Sequence, residues 1–178
     1  MNAPFADLGD IQKGKLIMTS ATPLVGILMG SKSDWEVMKI VTETLDSLGI
    51  PNEAKALSAH RNPDQVNEYA TNAQGRGIKV IIAGAGMAAA LPGVIAAVTP
   101  LPVLGVPMET RVMGGVDSLL SMAQMPGGIP VGTLAIGKAG AKNAALLAAA
   151  ILALSDEEIA RTLDDFRQNQ NDTIAELT

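Results

Sequence analysis

The chain has 178 residues, of which 48% are apolar and 2% aromatic, and it carries a formal charge of -5, one histidine and no cysteine. This length suits one domain, which we predict over residues 23–173 after a disordered N-terminal extension of residues 1–22. The negative charge excludes a basic nucleic-acid surface, and a lone histidine without cysteine excludes thiolate chemistry and an imidazole metal site. The longest apolar run, residues 144–154, is shorter than the roughly 20 residues that span a bilayer.

The first predicted unit is a strand over residues 24–29 followed by a helix that ends at Gly49. Ser33 and Glu36 have the spacing of a capping box at the helix start. The connecting segment GSKSD, residues 30–34, offers backbone N–H groups and a positive helix end, which favour an anion. We predict that Ser31 and Ser33 donate to a phosphate and that Asp34 accepts from a sugar hydroxyl. Helix capping alone is the alternative for Ser33.

The second unit is a strand over residues 53–57 and a helix that starts with the cap Asn62 and the first-turn residue Pro63. Between them lies SAHRNPD, residues 58–64. Arg61 can hold a phosphate or carboxylate through two parallel hydrogen bonds, and an imidazole exchanges protons near neutral pH. A lone histidine is more often structural. The position of His60 between Ser58 and Arg61 favours a role in proton transfer instead.

Further strands are predicted over residues 79–83, 103–106 and 131–136, with helices over 91–98 and 116–123. This alternation predicts a parallel sheet with helices on both faces and a ligand beyond the carboxyl ends of the strands.

The segment GAGMAAALPG, residues 84–93, also satisfies the dinucleotide pattern G-x-G-x-x-A, with Glu109 as the ribose-binding acid. Pro92 would interrupt the helix that this pattern requires, which argues against nicotinamide binding. Glu109 and Asp117 could form a hydrolase carboxylate pair, but solvated acids are the preferred interpretation.

The segment NAALLAAAILAL, residues 143–154, is apolar around its whole circumference, so other structure must cover every side of it. It can lie at the centre of the monomer or at a subunit interface, and we favour the interface. Ser155 and Glu158 have capping-box spacing for a last, polar helix. We expect Phe166 to anchor this C-terminal arm on a neighbouring subunit.

The motifs together resemble those of the bacterial N5-carboxyaminoimidazole ribonucleotide mutases, the PurE family. The similarity covers residues 25–154 and is carried by GSKSD, SAHRNPD, GAGMAAALPG, PVLGVPMET, DSLLSMAQMPGG and GTLAIGKAGAKNAALLAA. It implies a flavodoxin-like three-layer α/β/α sandwich with a parallel sheet, extended here by the C-terminal helical arm. It also implies a cytoplasmic homo-octamer, with small-molecule sites at subunit interfaces and no cofactor.

The resemblance implies interconversion of N5-carboxyaminoimidazole ribonucleotide and 4-carboxy-5-aminoimidazole ribonucleotide in de novo purine (IMP) biosynthesis. His60 would be the general acid and base. The implied substrate-binding residues are Ser31, Ser33 and Arg61 at the phosphate, Asp34 at the ribose, Ser58, Gly84, Ala85 and Gly86 around the migrating carboxylate, and Leu91.

Two positions depart from the family pattern: Ala90 replaces a common histidine and Met87 a common glycine. A catalytically weak ribonucleotide-binding assembly therefore stays open as an alternative. A carboxylase that uses carbon dioxide directly is a second alternative, which the sequence resembles less well because AHR-x-PD and Q-MPGG-PV are features of the mutase branch.

Overall fold

The computed structural model describes residues 22–174, in which strands and helices alternate. The strands are β1 (Val25–Met29), β2 (Asn52–Ala56), β3 (Val80–Ala85), β4 (Val103–Pro107) and β5 (Gly132–Thr133). The helices are α1 (Trp35–Ser47), α2 (Pro63–Ala73), α3 (Leu91–Ala96), α4 (Val116–Ala123), α5 (Gly137–Ala153) and α6 (Glu157–Asp172). The predicted extension lies outside the described residues except for Thr22, so the division into extension and domain stays a prediction.

The strands form one sheet in the order β2-β1-β3-β4-β5, and every neighbouring pair is parallel. All residues of β1, β3 and β4 are buried, whereas the edge strand β2 is partly exposed. Continuous apolar strands in the centre are typical of a parallel sheet that is covered on both faces. The predicted parallel α/β sheet is therefore confirmed.

The sheet separates two apolar cores because successive residues of a strand point to opposite faces. Val25, Ile27 and Met29 pack with α1, α5 and α6, while Leu28 packs with α2, α3 and α4. The molecule is therefore the predicted three-layer sandwich. Among residues 22–174, no helix combines the length and apolar character needed to cross a membrane.

The β5–α5 region differs most from the prediction. The strand was predicted over residues 131–136 but is assigned only at Gly132–Thr133, and α5 begins at Gly137 rather than residue 143. The chain must leave the sheet before Ile136, which precedes the helix in extended conformation. Gly140 permits the close packing that follows, because a Cβ there would contact the carbonyl oxygen of Ala135 and lie 2.6 Å from its carbonyl carbon.

Helix α5 lies between α1 and α6 and rests on β4, so one chain covers most of its apolar circumference. Leu147 and Leu154 nevertheless stay 40% and 86% exposed. The predicted subunit interface at this helix stays a prediction.

The C-terminal helix folds back on its own chain. Ile159 and Leu163 are buried in the core that contains α5, and Phe166 packs against the same core with its ring centroid 5.6 Å from Lys142 Nζ. The predicted Ser155 cap is wrong: Asp156 Oδ1 accepts from the backbone N–H groups of the first turn instead. Phe166 thus packs within its own chain while staying partly exposed, and its predicted role as an anchor on a neighbouring subunit stays a prediction.

Candidate active site

The first corner of the site follows β1. Ser31 Oγ accepts from Ser33 N at 3.2 Å and caps a short 3-10 turn, Lys32–Asp34, that precedes α1. Ser33 Oγ lies 2.9 Å from Ser31 Oγ and 3.3 Å from Asp34 Oδ1. A hydroxyl has one proton, so Ser33 can donate to only one of these two oxygens at a time. The predicted Ser33–Glu36 capping box is therefore wrong, because the extra turn moves the cap to Ser31. Both serine hydroxyls line the pocket described below.

The second corner follows β2 and is held together by its own hydrogen bonds. Ser58 Oγ accepts from Arg61 N at 3.3 Å, and the Ser58 carbonyl oxygen accepts from Asn62 N at 2.8 Å. Asn62 stands at the N-cap position of α2, but its Oδ1 accepts from Ser58 N at 3.3 Å and makes no side-chain cap bond. The predicted side-chain cap is thus replaced by a bond that closes the loop. Pro63 opens the helix as predicted.

One guanidinium connects the two corners. Arg61 Nη2 donates to the carbonyl oxygen of Gly30 at 2.7 Å, across 31 residues of sequence. This bond leaves other N–H groups of Arg61 for an anion beside the serines, because a guanidinium has five N–H donors. The exposed imidazole of His60 lies on the same pocket wall. The structure therefore brings together the two motifs that the sequence singled out.

These corners open onto a pocket of about 640 Å³, within the usual size range of small-molecule sites. Nine of the ten predicted site residues line it: Ser31, Ser33, Asp34, Ser58, His60, Arg61, Ala85, Gly86 and Leu91. Gly84 is the exception. It is a buried residue of β3, where a Cβ would lie 2.5 Å from Met38 Sδ and 2.9 Å from Met108 Cε. The absence of a side chain at Gly84 is therefore explained by packing beneath the site.

The segment after β3 forms a second wall with unusual backbone geometry. Met87 and Ala89 have positive φ angles of 58° and 41°, in the left-handed region that non-glycine residues seldom occupy. Helix α3 does not begin until Leu91 and has only six residues. This geometry counts against the dinucleotide pattern, because that pattern places its glycines in a turn that opens directly into a helix.

A third wall follows β4 and was missed by the sequence analysis. Glu109 and Asp117, interpreted as solvated acids, both line the pocket, together with Thr110 and Arg111. Thr110 Oγ1 donates to Asp117 Oδ1 at 2.6 Å. The available signal was their position after an apolar strand of the predicted sheet, the same signal that identified the first two corners.

Burial shifts the pKa of one carboxyl group in the pocket. Desolvation raises the pKa of Asp34, although hydrogen bonds from Ser33 and from the backbone of Ser31 and the nearby charge of Arg61 act in the opposite direction. Within residues 22–174, no three His, Asp or Glu side chains cluster closely enough to hold a metal ion. The pocket therefore offers hydroxyls, one imidazole, guanidinium groups and carboxylates as its chemical groups.

The fold and pocket define a flavodoxin-like α/β protein with a pocket at the carboxyl edge of its parallel sheet. The chain belongs to the AIR carboxylase family, whose pattern matches residues 24–173. The resemblance inferred from the motifs is thereby confirmed.

Several curated relatives are similar over most of the chain. The N5-carboxyaminoimidazole ribonucleotide mutase of Bacillus subtilis is 60% identical over 154 residues, covering 86% of this chain and 95% of that protein. The mutase of Brucella melitensis is 59% identical over 152 residues, covering 85% and 94%. The bifunctional purine synthesis protein purC/E of Dictyostelium discoideum is 59% identical over 155 residues. This matched segment covers 87% of this chain but only 16% of that protein.

Among solved structures, PurE of Treponema denticola has a TM-score of 0.76 and 31% identity, covering 84% of this chain and 92% of that one. This likeness agrees with the flavodoxin-like fold predicted from the sequence.

Proposed function

We propose that this chain is a mutase that interconverts N5-carboxyaminoimidazole ribonucleotide and 4-carboxy-5-aminoimidazole ribonucleotide, in the IMP-forming pathway of purine biosynthesis. The observation that carries the proposal is the meeting of the two corners: Arg61 bonds to Gly30, and His60, Ser31 and Asp34 line one pocket. The relatives that bear the mutase name match almost their whole length.

The ribonucleotide would bind with its phosphate at the first corner. Ser31 and Ser33 supply hydroxyl donors there, and Arg61 adds a charged donor, since its bond to Gly30 holds the guanidinium beside them. Asp34, at the inner end of the same turn, would accept from a ribose hydroxyl. This orientation directs the base toward Ser58, His60 and the loop after β3. Ala85, Gly86 and Leu91 would enclose the carboxylate.

His60 would then take part in two proton transfers. As imidazolium it protonates the carbamate nitrogen, the N–C bond breaks, and carbon dioxide and aminoimidazole ribonucleotide are left in the pocket. C4 of the imidazole ring attacks the carbon dioxide to form the new C–C bond, and the neutral imidazole removes the C4 proton. His60 ends as imidazolium, so the cycle needs no external proton, cofactor or metal ion.

The proposed mutase function also bears on the oligomeric state and the cellular location. We propose an octamer whose subunits meet near the pockets, and a cytoplasmic location, which the absence of cysteine from the sequence fits. The oligomer is testable by light scattering at the protein's working concentration. A monomer with full turnover would contradict it.

Replacement of the only histidine tests the mechanism. His60→Asn is expected to reduce turnover by at least about 100-fold, the lower range for a lost general acid and base, while the affinity for the carboxylated nucleotide changes little. Near-normal turnover by His60→Asn would refute the assignment. If the unsubstituted chain binds the nucleotide but never interconverts the isomers, it is the ribonucleotide-binding assembly instead.

An isotope experiment separates the mutase from the second candidate, a carboxylase that takes carbon dioxide from solution, which the family's description favours. Unlabelled N5-carboxyaminoimidazole ribonucleotide is supplied in buffer that contains ¹³C-bicarbonate. A mutase that keeps its carbon dioxide captive gives unlabelled product. Label in the product, together with turnover of aminoimidazole ribonucleotide and bicarbonate alone, would establish the carboxylase.

A further inference from the structure

Two adjacent residues at the start of α4, Asp117 and Ser118, each bond to a different wall of the pocket. Ser118 is fully buried, and its Oγ accepts from Met87 N at 2.9 Å. Asp117 Oδ1 accepts from Thr110 Oγ1 at 2.6 Å. One rigid helix end therefore contacts both the segment after β3 and the segment after β4.

The segment that Ser118 contacts has a backbone that needs support. Met87 adopts a left-handed conformation that is unfavourable for a side chain with a Cβ, and it is 71% exposed, so little side-chain packing holds it in place. Its N–H bond to buried Ser118 is the shorter of two contacts from α4. The other runs from Ser121 Oγ to the Met87 carbonyl oxygen at 3.4 Å.

The segment that Asp117 contacts is organised through a single hydroxyl. Thr110 Oγ1 donates to Asp117 and also accepts from Val112 N at 3.2 Å. Thr110, Arg111 and Val112 all line the pocket. Loss of the Asp117 contact would leave this hydroxyl only its contacts with Val112 inside the same turn, so the turn that presents Arg111 would lose its bond to α4.

We propose that Asp117 and Ser118 are a positioning pair that fixes the distance between these two walls and hence the shape of the carboxylate end of the pocket. The reaction that they serve rests on the proposed function. Neither residue is assigned a proton transfer. Asp117 acts as an acceptor for Thr110, and Ser118 as an acceptor for the Met87 amide.

Asparagine and alanine at position 117 separate positioning from acid–base chemistry. Asp117→Asn keeps an Oδ1 that can accept from Thr110, so we expect kcat within threefold of the unsubstituted chain. Asp117→Ala removes the acceptor and should lower kcat roughly tenfold with a smaller change in KM, since misplacing a pocket wall mainly affects the reacting geometry. Thr110→Val should lower kcat by the same factor. Because both substitutions remove the same bond, the double variant Asp117→Ala/Thr110→Val should have a kcat no lower than either single variant. An equal loss of kcat in Asp117→Asn and Asp117→Ala would overturn the positioning role. Full activity of Asp117→Ala would overturn it as well.

Ser118→Ala tests the other contact, with Ser121→Ala as the matched control on the same helix. We expect Ser118→Ala to lower kcat roughly tenfold and to speed amide exchange of the peptide that contains Met87. Ser121→Ala should change neither, because its contact is longer and its side chain lies outside the pocket lining. A residue that is merely structural would lower the melting temperature without changing kcat, and that result would overturn the proposal. If Ser118→Ala does not fold, Ser118→Cys replaces it with the same expected direction.

Amide exchange keeps this inference separate from the proposed function. If the unsubstituted chain does not interconvert the two isomers, the proposed reaction fails, but the exchange result still decides whether Ser118 holds the segment after β3. If the chain is active and Ser118→Ala leaves both kcat and exchange unchanged, only the positioning pair fails.

Discussion

Arg61→Met is the substitution that most directly tests how the pocket holds its ribonucleotide. Methionine keeps an unbranched, apolar stem but removes the guanidinium that bonds to Gly30 and faces the serine corner. A hydrogen bond to a charged group contributes about 1.5–3 kcal/mol. The side chain is exposed, so solvent screening favours the lower end, about 1.5 kcal/mol. We therefore expect affinity for the ribonucleotide to fall roughly tenfold, since 1.4 kcal/mol corresponds to a factor of ten.

The measurement is the Kd of the carboxylated ribonucleotide by calorimetry, compared with its nucleoside, which lacks the phosphate. Arg61→Met should weaken binding of the nucleotide and leave nucleoside binding nearly unchanged. Arg76→Met is the matched control, because Arg76 pairs with Glu53 at 2.6 Å and lies outside the pocket lining. Unchanged nucleotide affinity in Arg61→Met, or an equal loss for nucleoside and nucleotide, would refute the phosphate assignment.

Three further predictions concern stability. Burial raises the pKa of Asp34, so the folded state binds this proton more tightly than the unfolded state, and the ionised form destabilises the fold above that pKa. Asp34→Asn should therefore raise the melting temperature at pH 7. The free energy of unfolding of this variant should also fall less as the pH rises through the acidic range. A lower melting temperature at pH 7 would contradict this reasoning. Gly140→Ala should destabilise by about 3 kcal/mol or more in urea unfolding, because the new Cβ would overlap the backbone of Ala135; an unchanged midpoint would show that α5 can shift freely. Asp156→Ala should cost about 1 kcal/mol and lower the melting temperature by roughly 2–4 °C through loss of the α6 cap, with Asp156→Asn as the retaining control.

The elements of the fold were predictable because apolar runs and stop signals are local. Helix α4 has the predicted bounds, Val116–Ala123, and Gly77 ends the second helical segment with a φ of 96°. Caps were less predictable. The S-x-x-E spacing occurs at both Ser33 and Ser155, yet Ser31 and Asp156 make the cap bonds. Neighbouring polar residues compete for the same N–H groups, and the path of the incoming chain decides between them.

The site was predictable where its chemistry is concentrated in one short motif. His60 and Arg61 are adjacent, and their corner follows an apolar strand. Thr110 and Asp117 also follow an apolar strand, but they are seven residues apart and their place in the pocket depends on β4 lying beside β3. The bond from Met87 to Ser118 joins residues 31 positions apart, so no local pattern reveals it.

Strand order explains why the pocket forms where it does. From β1 the chain passes to β2 on one side and then returns to β3 on the other, and the helices that follow β1 and β3 cover opposite faces of the sheet. Gly30 N still donates to the Gly84 carbonyl oxygen at 3.2 Å, but beyond this bond the two segments diverge and leave a crevice. Gly84 therefore lies beneath the pocket while Gly86 lines it. The serines of the first corner and the segment after β3 face each other across this crevice because the connectivity of the sheet changes direction there.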